Sequence, residues 1–282
     1  MPLLRASKLS LSLPDRASRR LLRAPTMVDI LKGVDLELGP GESVGIVGES
    51  GSGKTSLGRT MLRLYEPTGG QLTFDDQDIT HVQQDRLRPL RDKIQMIFQD
   101  PQSSLNPRHR IEDILAQPLL AFRRTANRGE GRRAAARLLE RVHLPPEFGR
   151  RYPHELSGGQ RQRIGIARAL ALEPKLIVAD EILSGLDVST QAQILTLLRE
   201  IKAESALILI SHDLSVVRVL CDRVLVLYRG AVVESGTCAE VFARPRHVYT
   251  KALLSAIPLP ELDAGWITRS APMADEAAAA VE

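Results

Sequence analysis

The 282-residue sequence predicts an α/β fold with a parallel sheet at its core, an antiparallel β edge subdomain and an inserted α-helical subdomain. Three observations carry that prediction. Short, largely apolar runs at residues 43–47, 93–98, 176–179 and 206–210 have the length and β-branched content of strands buried on both faces, as a parallel sheet requires. The first run leads into a glycine-rich loop and then a helix-periodic segment, so the local order is strand, loop, helix. From residue 100 to about 165 the rhythm changes to apolar positions at helical spacing, separated by Pro-containing loops, before α/β alternation resumes.

Taken in order, residues 30–37 place Leu31, Val34 and Leu36 in a strand pattern that the turn Pro40-Gly41-Glu42 closes. A helix over 56–64 ends at Pro67-Thr68-Gly69-Gly70, and residues 71–74 with the Asp-rich turn 75–78 read as a hairpin at the sheet edge. Residues 111–120 and 134–142 are the helical patterns of the insertion. Strand 176–179, helix 189–202 and strands 206–210 and 223–227 complete the core. Beyond Val241 the chain reads as an appendage, and residues 270–282, rich in Ala and acidic residues, are expected to fray. No internal repeat is visible, which predicts one catalytic unit.

Composition narrows the function classes. Hydrophobic residues make up 43% and charged residues 26%, as in globular domains, and no apolar run approaches the roughly 18 residues that would span a bilayer. The basic cluster Arg16, Arg19 and Arg20 follows the first apolar positions, the reverse of a secretory signal, so the chain is expected to stay in the cytoplasm. Cys221 and Cys238 lack the number and the neighbours for a disulfide framework, a zinc site or an iron-sulfur site. A net charge of +4 is too dilute for a nucleic-acid binder, and 4% aromatics leave little to stack bases on. One local exception is a set of nine Arg between Arg123 and Arg151. It reads first as the solvated face of one or two helices, and second as a surface for anionic lipid or the acidic loops of a partner.

The chemistry is concentrated in three motifs. Gly48-Glu49-Ser50-Gly51-Ser52-Gly53-Lys54-Thr55 is a phosphate loop, G-x-x-x-x-G-K-[ST], in the strand-to-helix context that gives the pattern its meaning. Its glycines let successive N–H groups face a nucleotide's phosphates, and the following helix, with Ser56 in its first turn, adds its positive end. Lys54 reaches the β and γ oxygens, and Thr55 can ligate Mg²⁺. This makes the core that of a P-loop NTPase. Residues 176–181, Leu-Ile-Val-Ala-Asp-Glu, are a buried strand ending in two carboxylates: Asp180 is placed to bind Mg²⁺ and Glu181 to polarise the attacking water. The third motif, Leu156-Ser157-Gly158-Gly159-Gln160, opens a helix running to about residue 172, a second anion-binding terminus in one chain.

With that motif the sequence resembles the ATP-binding subunits of ABC transporters, whose signature is LSGGQ. The resemblance covers about residues 1–258, the expected ATP-binding domain with its helical insertion near 100–165, and leaves 259–282 as a short tail. It implies that two subunits pair head to tail, so that Ser157, Gly158, Gly159 and Gln160 of one close on the γ-phosphate held by the other. It implies that Gln99 senses Mg²⁺ and the attacking water, that His212 contacts the γ-phosphate, and that Asp187, in Ser184-Gly185-Leu186-Asp187, contacts the opposite subunit and belongs to the cofactor-binding set. Catalytic roles fall to Glu181, His212 and Gln99, and metal-binding roles to Thr55, Gln99 and Asp180, with ATP and Mg²⁺ as cofactors.

Two departures stand out. Residues 1–64 hold no Phe, Tyr, Trp or His to stack on adenine, which leaves Leu21, Leu22, Arg23, Met27, a loop or the partner chain to cover the base. Ile182 stands where the family tends to have Pro. The stretch 98–108, which includes Ser104-Leu105-Asn106-Pro107-Arg108, and the stretch 244–254 resemble the oligopeptide, dipeptide and nickel importer branch. That branch implies two transmembrane permease subunits, a second ATPase subunit, identical or related, and an extracytoplasmic substrate-binding protein, with the chain peripheral on the cytoplasmic membrane face. Oligo- or dipeptides are the expected cargo, with nickel or a metallophore as the alternative. A soluble ABC ATPase acting on nucleic acid or the ribosome is the rival class, but such proteins usually carry a coiled-coil insertion or two fused units, and neither is present.

Overall fold

A computed structural model of the chain describes residues 1–15, 26–100 and 104–255. The expected adenine-covering candidates Leu21, Leu22 and Arg23 and the expected tail at 259–282 lie outside the described residues.

Two sheets organise the molecule. Strands β3 (Ser43–Val47), β6 (Ile94–Ile97), β7 (Leu176–Asp180), β8 (Ala206–Ile210), β9 (Arg223–Tyr228) and β10 (Ala231–Thr237) form a six-stranded sheet in the order β10-β9-β3-β8-β7-β6. Its pairings are parallel except for β10 against β9. The continuous apolar character of its central strands has a direct cause. Along β8, Ala206, Ile208 and Ile210 pack into one core while Leu207 and Leu209 pack into another. Alternate residues leave by opposite faces, and both faces are dry. Each fully buried Leu, Ile or Val contributes about 1.5–3 kcal/mol, so a charge introduced at Val178 or Ile208 would unseat the sheet.

A four-stranded antiparallel sheet covers one face, formed by β1 (Leu4–Pro14), β2 (Met27–Leu38), β4 (Gly69–Phe74) and β5 (Gln77–Asp78) in the order β2-β1-β4-β5. The expected edge hairpin is β4–β5, where Phe74 pairs with Gln77 across a two-residue turn. Asp75 and Asp76 both have positive φ, 51° and 62°, as the twist of such a tight turn demands. Two strands went unread in the sequence. The first is β1, whose Leu9, Leu11 and Leu13 alternate with serines; the second is β10.

Helices α1 (Lys54–Met61), α2 (Arg88–Arg91), α3 (Ile111–Ala121), α4 (Arg128–Arg141), α5 (Gly158–Leu170), α6 (Val188–Lys202), α7 (Leu214–Leu220), α8 (Cys238–Ala243) and α9 (Val248–Ser255) complete the described chain. Helices α3 and α4 carry Ile114, Leu115, Ala135 and Leu139 into the same core as Ile164 and Ile166 of α5, which joins them to the sheet. Five of the nine Arg of the Arg-rich stretch, Arg128, Arg132, Arg133, Arg137 and Arg141, lie on α4. Arg132 pairs with Glu112 and Asp113, Arg141 with Glu204, Arg124 with Asp92, and the Arg151 guanidinium lies 3.8 Å from the Phe148 ring centre. Both cysteines are free and buried. Among the described residues, no helix is long and apolar enough to cross a membrane.

Candidate functional site

The carboxyl ends of β3, β6, β7 and β8 meet at one edge of the parallel sheet, the position where open α/β sheets hold their ligands. The phosphate loop leaves β3 there. Gly48 has φ 150°, and a Cβ on it would come within 2.2 Å of the Leu227 carbonyl and 2.9 Å of Ser52 Oγ, so the loop's first turn admits only glycine. Gly51 and Gly53 also take positive φ, and the loop passes into α1 at Lys54. Glu49, Ser50 and Gly51 lie exposed, while Ser52 and Lys54 are buried. Lys54 Nζ donates to the carbonyls of Gly48 and Glu49, each at 2.8 Å. Burial lowers its pKa, against the pull of the Glu181, Asp180 and Glu49 carboxylates. Ser52 Oγ is buried without a hydrogen-bond partner among the described residues.

Thr55 Oγ1 donates to Asp180 Oδ1 at 2.9 Å, tying α1 to the end of β7. Asp180 is 2% exposed, and burial pushes its pKa upward, with Glu181 acting in the same direction. The next residue leaves the strand: Glu181 has φ 46°, while its N–H still donates to Ile210 O at 2.9 Å. That turn aims its carboxylate across the strand ends. Gln99, just beyond β6, donates from Nε2 to Glu181 Oε2 at 2.9 Å, and His212, just beyond β8, places Nδ1 3.9 Å from Glu181 Oε1. Thus Gln99, Thr55, Asp180, Glu181 and His212, expected from scattered motifs, stand together, with Lys54 beside them in charge contact with both carboxylates.

The other expected residues form a second group. Ser157 caps α5: its Oγ accepts from Gln160 N at 3.3 Å, and Gln160 Oε1 accepts from Ser157 N at 3.0 Å, a reciprocal capping box. Asp187 caps α6, accepting from Thr190 N, Ser189 Oγ and Thr190 Oγ1 at 2.6–2.9 Å, and these bonds hold its pKa down to about 2. The two caps touch through Gly159, where a Cβ would lie 2.2 Å from Thr190 Cγ2. No hydrogen bond joins this group to the phosphate loop among the described residues. Ser56 sits in the first turn of α1, where its carbonyl accepts from Thr60 Oγ1.

The structure adds contacts that sequence reasoning missed. Tyr249, in α9, accepts the Glu49 N–H at 2.8 Å, and Gly230 N donates to Ser52 O at 2.9 Å. Met27, a described candidate for covering the base, is 54% exposed at the start of β2.

A family model described as ABC transporter matches residues 31–184, from within β2 to just beyond Glu181. The chain belongs to the ABC transporter family. A second model, the C-terminal region of oligopeptide/dipeptide transporters, matches residues 233–280 of this ABC ATPase. The oligopeptide transport ATP-binding protein AppF of Bacillus subtilis is 51% identical over 235 residues, covering 82% of this chain and 71% of AppF. OppF of Salmonella typhimurium, an oligopeptide transport ATP-binding protein, is 48% identical over 241 residues, covering 85% and 72%. Among solved structures, the dimeric ATP-binding cassette MJ0796 in a post-hydrolysis state with ADP and Pi is 29% identical, with a TM-score of 0.74 over 83% of this chain and 98% of that one.

Proposed function

We propose that this chain is the ATP-hydrolysing subunit of a peptide importer, acting from the cytoplasmic face of the membrane on two permease subunits. The observation that carries the reading is the convergence of Gln99, Glu181 and His212 beside the Thr55–Asp180 pair at the mouth of the phosphate loop.

The loop N–H groups and the amino end of α1 bind the nucleotide phosphates, and Lys54, turned inward against its own loop carbonyls, meets the β and γ oxygens. The Thr55 hydroxyl and Asp180 carboxylate are oxygen donors suited to Mg²⁺, and a buried carboxylate with a raised pKa is the kind of group a cation would stabilise in its charged form. Thr55 and Asp180 would hold the ion, and Mg²⁺ bound there would supply positive charge to offset that of the transferring phosphoryl group. Glu181 accepts the proton of the attacking water, Gln99 orients that carboxylate, and His212 faces the γ-phosphate.

That no hydrogen bond joins Ser157–Gln160 or Asp187 to the phosphate loop among the described residues supports a site completed by a second subunit, identical or related. Closure of the pair would reach the permeases through α3 and α4. Peptide cargo, delivered by an extracytoplasmic substrate-binding protein, is supported by the C-terminal family match and by the named functions of the relatives. The test of the chemistry is a pair of variants. Glu181→Gln should bind ATP while losing turnover by about 10²- to 10⁴-fold. Lys54→Ala should lose nucleotide binding itself, and near-normal hydrolysis in the first or near-normal binding in the second would contradict the assignment.

A further inference from the structure

The contact between Tyr249 and the phosphate loop joins residues 200 positions apart, and it lands on one peptide group. The N–H of that group, at Glu49, is held by the Tyr249 hydroxyl at 2.8 Å; its carbonyl, at Gly48, accepts from Lys54 Nζ at 2.8 Å. A peptide plane bonded at both ends cannot rotate without breaking both bonds. The need for restraint is local. Gly48 lacks a Cβ and sits at φ 150°, so steric hindrance at that residue does little to fix the plane. If the plane turned, the Gly48 carbonyl would leave Lys54, and the buried ammonium would lose one of its two recorded acceptors.

Tyr249 is itself firmly placed. Its ring lies 4.3 Å, centre to centre, from that of Tyr228 at the end of β9, tilted by 38°. Burial raises its phenol pKa, so the hydroxyl is neutral at physiological pH. The turn after Tyr228 grips the same loop, through Gly230 N donating to Ser52 O. The start of α9 is pinned to β10: the Glu234 carboxylate accepts from Arg246 N at 2.8 Å and His247 N at 2.9 Å, and His247 Nδ1 accepts from Tyr249 N at 3.1 Å.

We propose that Tyr249 is a positioning residue of the nucleotide site, locking the Gly48–Glu49 peptide so that Lys54 is held ready for phosphate, and that the C-terminal segment thereby sets ATP affinity. This rests on the nucleotide-binding reading of the phosphate loop. Tyr249→Phe keeps the ring on Tyr228 and deletes only the acceptor. A single hydrogen bond's worth of organisation predicts an ATP Kd and KM raised about three- to tenfold, with kcat moving far less. Glu234→Ala, which frees the segment from β10, should raise Kd by a similar factor, and the double variant should do little more than Glu234→Ala alone, because both act through one contact.

The measurement is ATP binding and steady-state hydrolysis by the full chain, with Lys54→Ala as reference and thermal melting to confirm that each variant is folded. Loss of binding in Lys54→Ala with an unchanged Kd in Tyr249→Phe would overturn this inference alone. A Tyr249→Phe variant that lost kcat with KM unmoved would also overturn it. Undiminished binding in Lys54→Ala would remove the nucleotide-site reading and this inference with it.

Discussion

Gly159 is the point at which the signature helix leans on the next helix of the chain, and replacing it by alanine tests how tightly the two are coupled. An added Cβ would lie 2.2 Å from Thr190 Cγ2, 3.3 Å from Thr190 Oγ1 and 3.4 Å from Thr190 Cβ. The methyl contact is far inside van der Waals distance, and Thr190 cannot simply rotate away, because its hydroxyl and its N–H both donate to Asp187. The strain must move α5 against α6 or break the cap. Overpacking of this kind costs about 1–3 kcal/mol. For a chain of this size that is a fall in Tm of about 2–5 °C, measurable by calorimetry or by fluorescence melting. Thr190→Ser removes the clashing methyl and keeps the hydroxyl that donates to Asp187. In that background Gly159→Ala should recover most of the loss. A neutral Gly159→Ala, or a serine that rescues nothing, would refute the claim that this pair fixes the spacing of the signature motif.

Asp187 supplies a pH test. Its folded pKa is depressed to about 2, so the stability it contributes is complete above the ordinary aspartate value of about 3.9 and is lost as pH falls through about 2. Acid melts of Asp187→Asn, which keeps a capping oxygen but does not titrate, should show a shallower decline between about pH 4 and 2 than the parent chain; identical profiles would contradict the cap's role. Burial pushes the thiols of both Cys221 and Cys238 upward, Cys238 to about 11. Neither should react with a thiol reagent at neutral pH until the chain unfolds, and rapid native labelling would show that the packing around them opens.

Much of this was legible in the sequence because it is local. Residues 206–210 form the strand their apolar run predicts, the 43–47 run enters a glycine loop as its motif requires, and the Asp-rich hairpin follows from turn chemistry. The misses have physical reasons. β10 is an edge strand, only partly buried, built from Ala, Glu, Ser, Gly and Thr around two valines, with little periodic signal. In β1 the Leu-Ser alternation was present, but its partners are β2 and, more than fifty residues away, β4. The resemblance brought Gln99, Glu181 and His212 to one reaction, yet nothing in their spacing gives the turn at Glu181 that lets the other two reach it. The resemblance gives Asp187 a role at the nucleotide site and against the opposite subunit, whereas an Asp immediately before a helix also has an N-cap role. Tyr249 lies within a stretch that resembles the importer branch, but a contact across 200 positions leaves no periodic trace.

Under the proposed function, ATP turnover is coupled to peptide import. The most direct measurement is the ATPase rate of the complex recovered from membranes through this chain, with a substrate-binding protein added empty, loaded with short peptide, or loaded with a nickel chelate. That coupling predicts recovery of two permease subunits together with an ATPase partner, low basal turnover, and stimulation by the peptide-loaded protein above the other two. Stimulation by the chelate alone, or recovery of ribosomes or DNA in place of permeases, would contradict it.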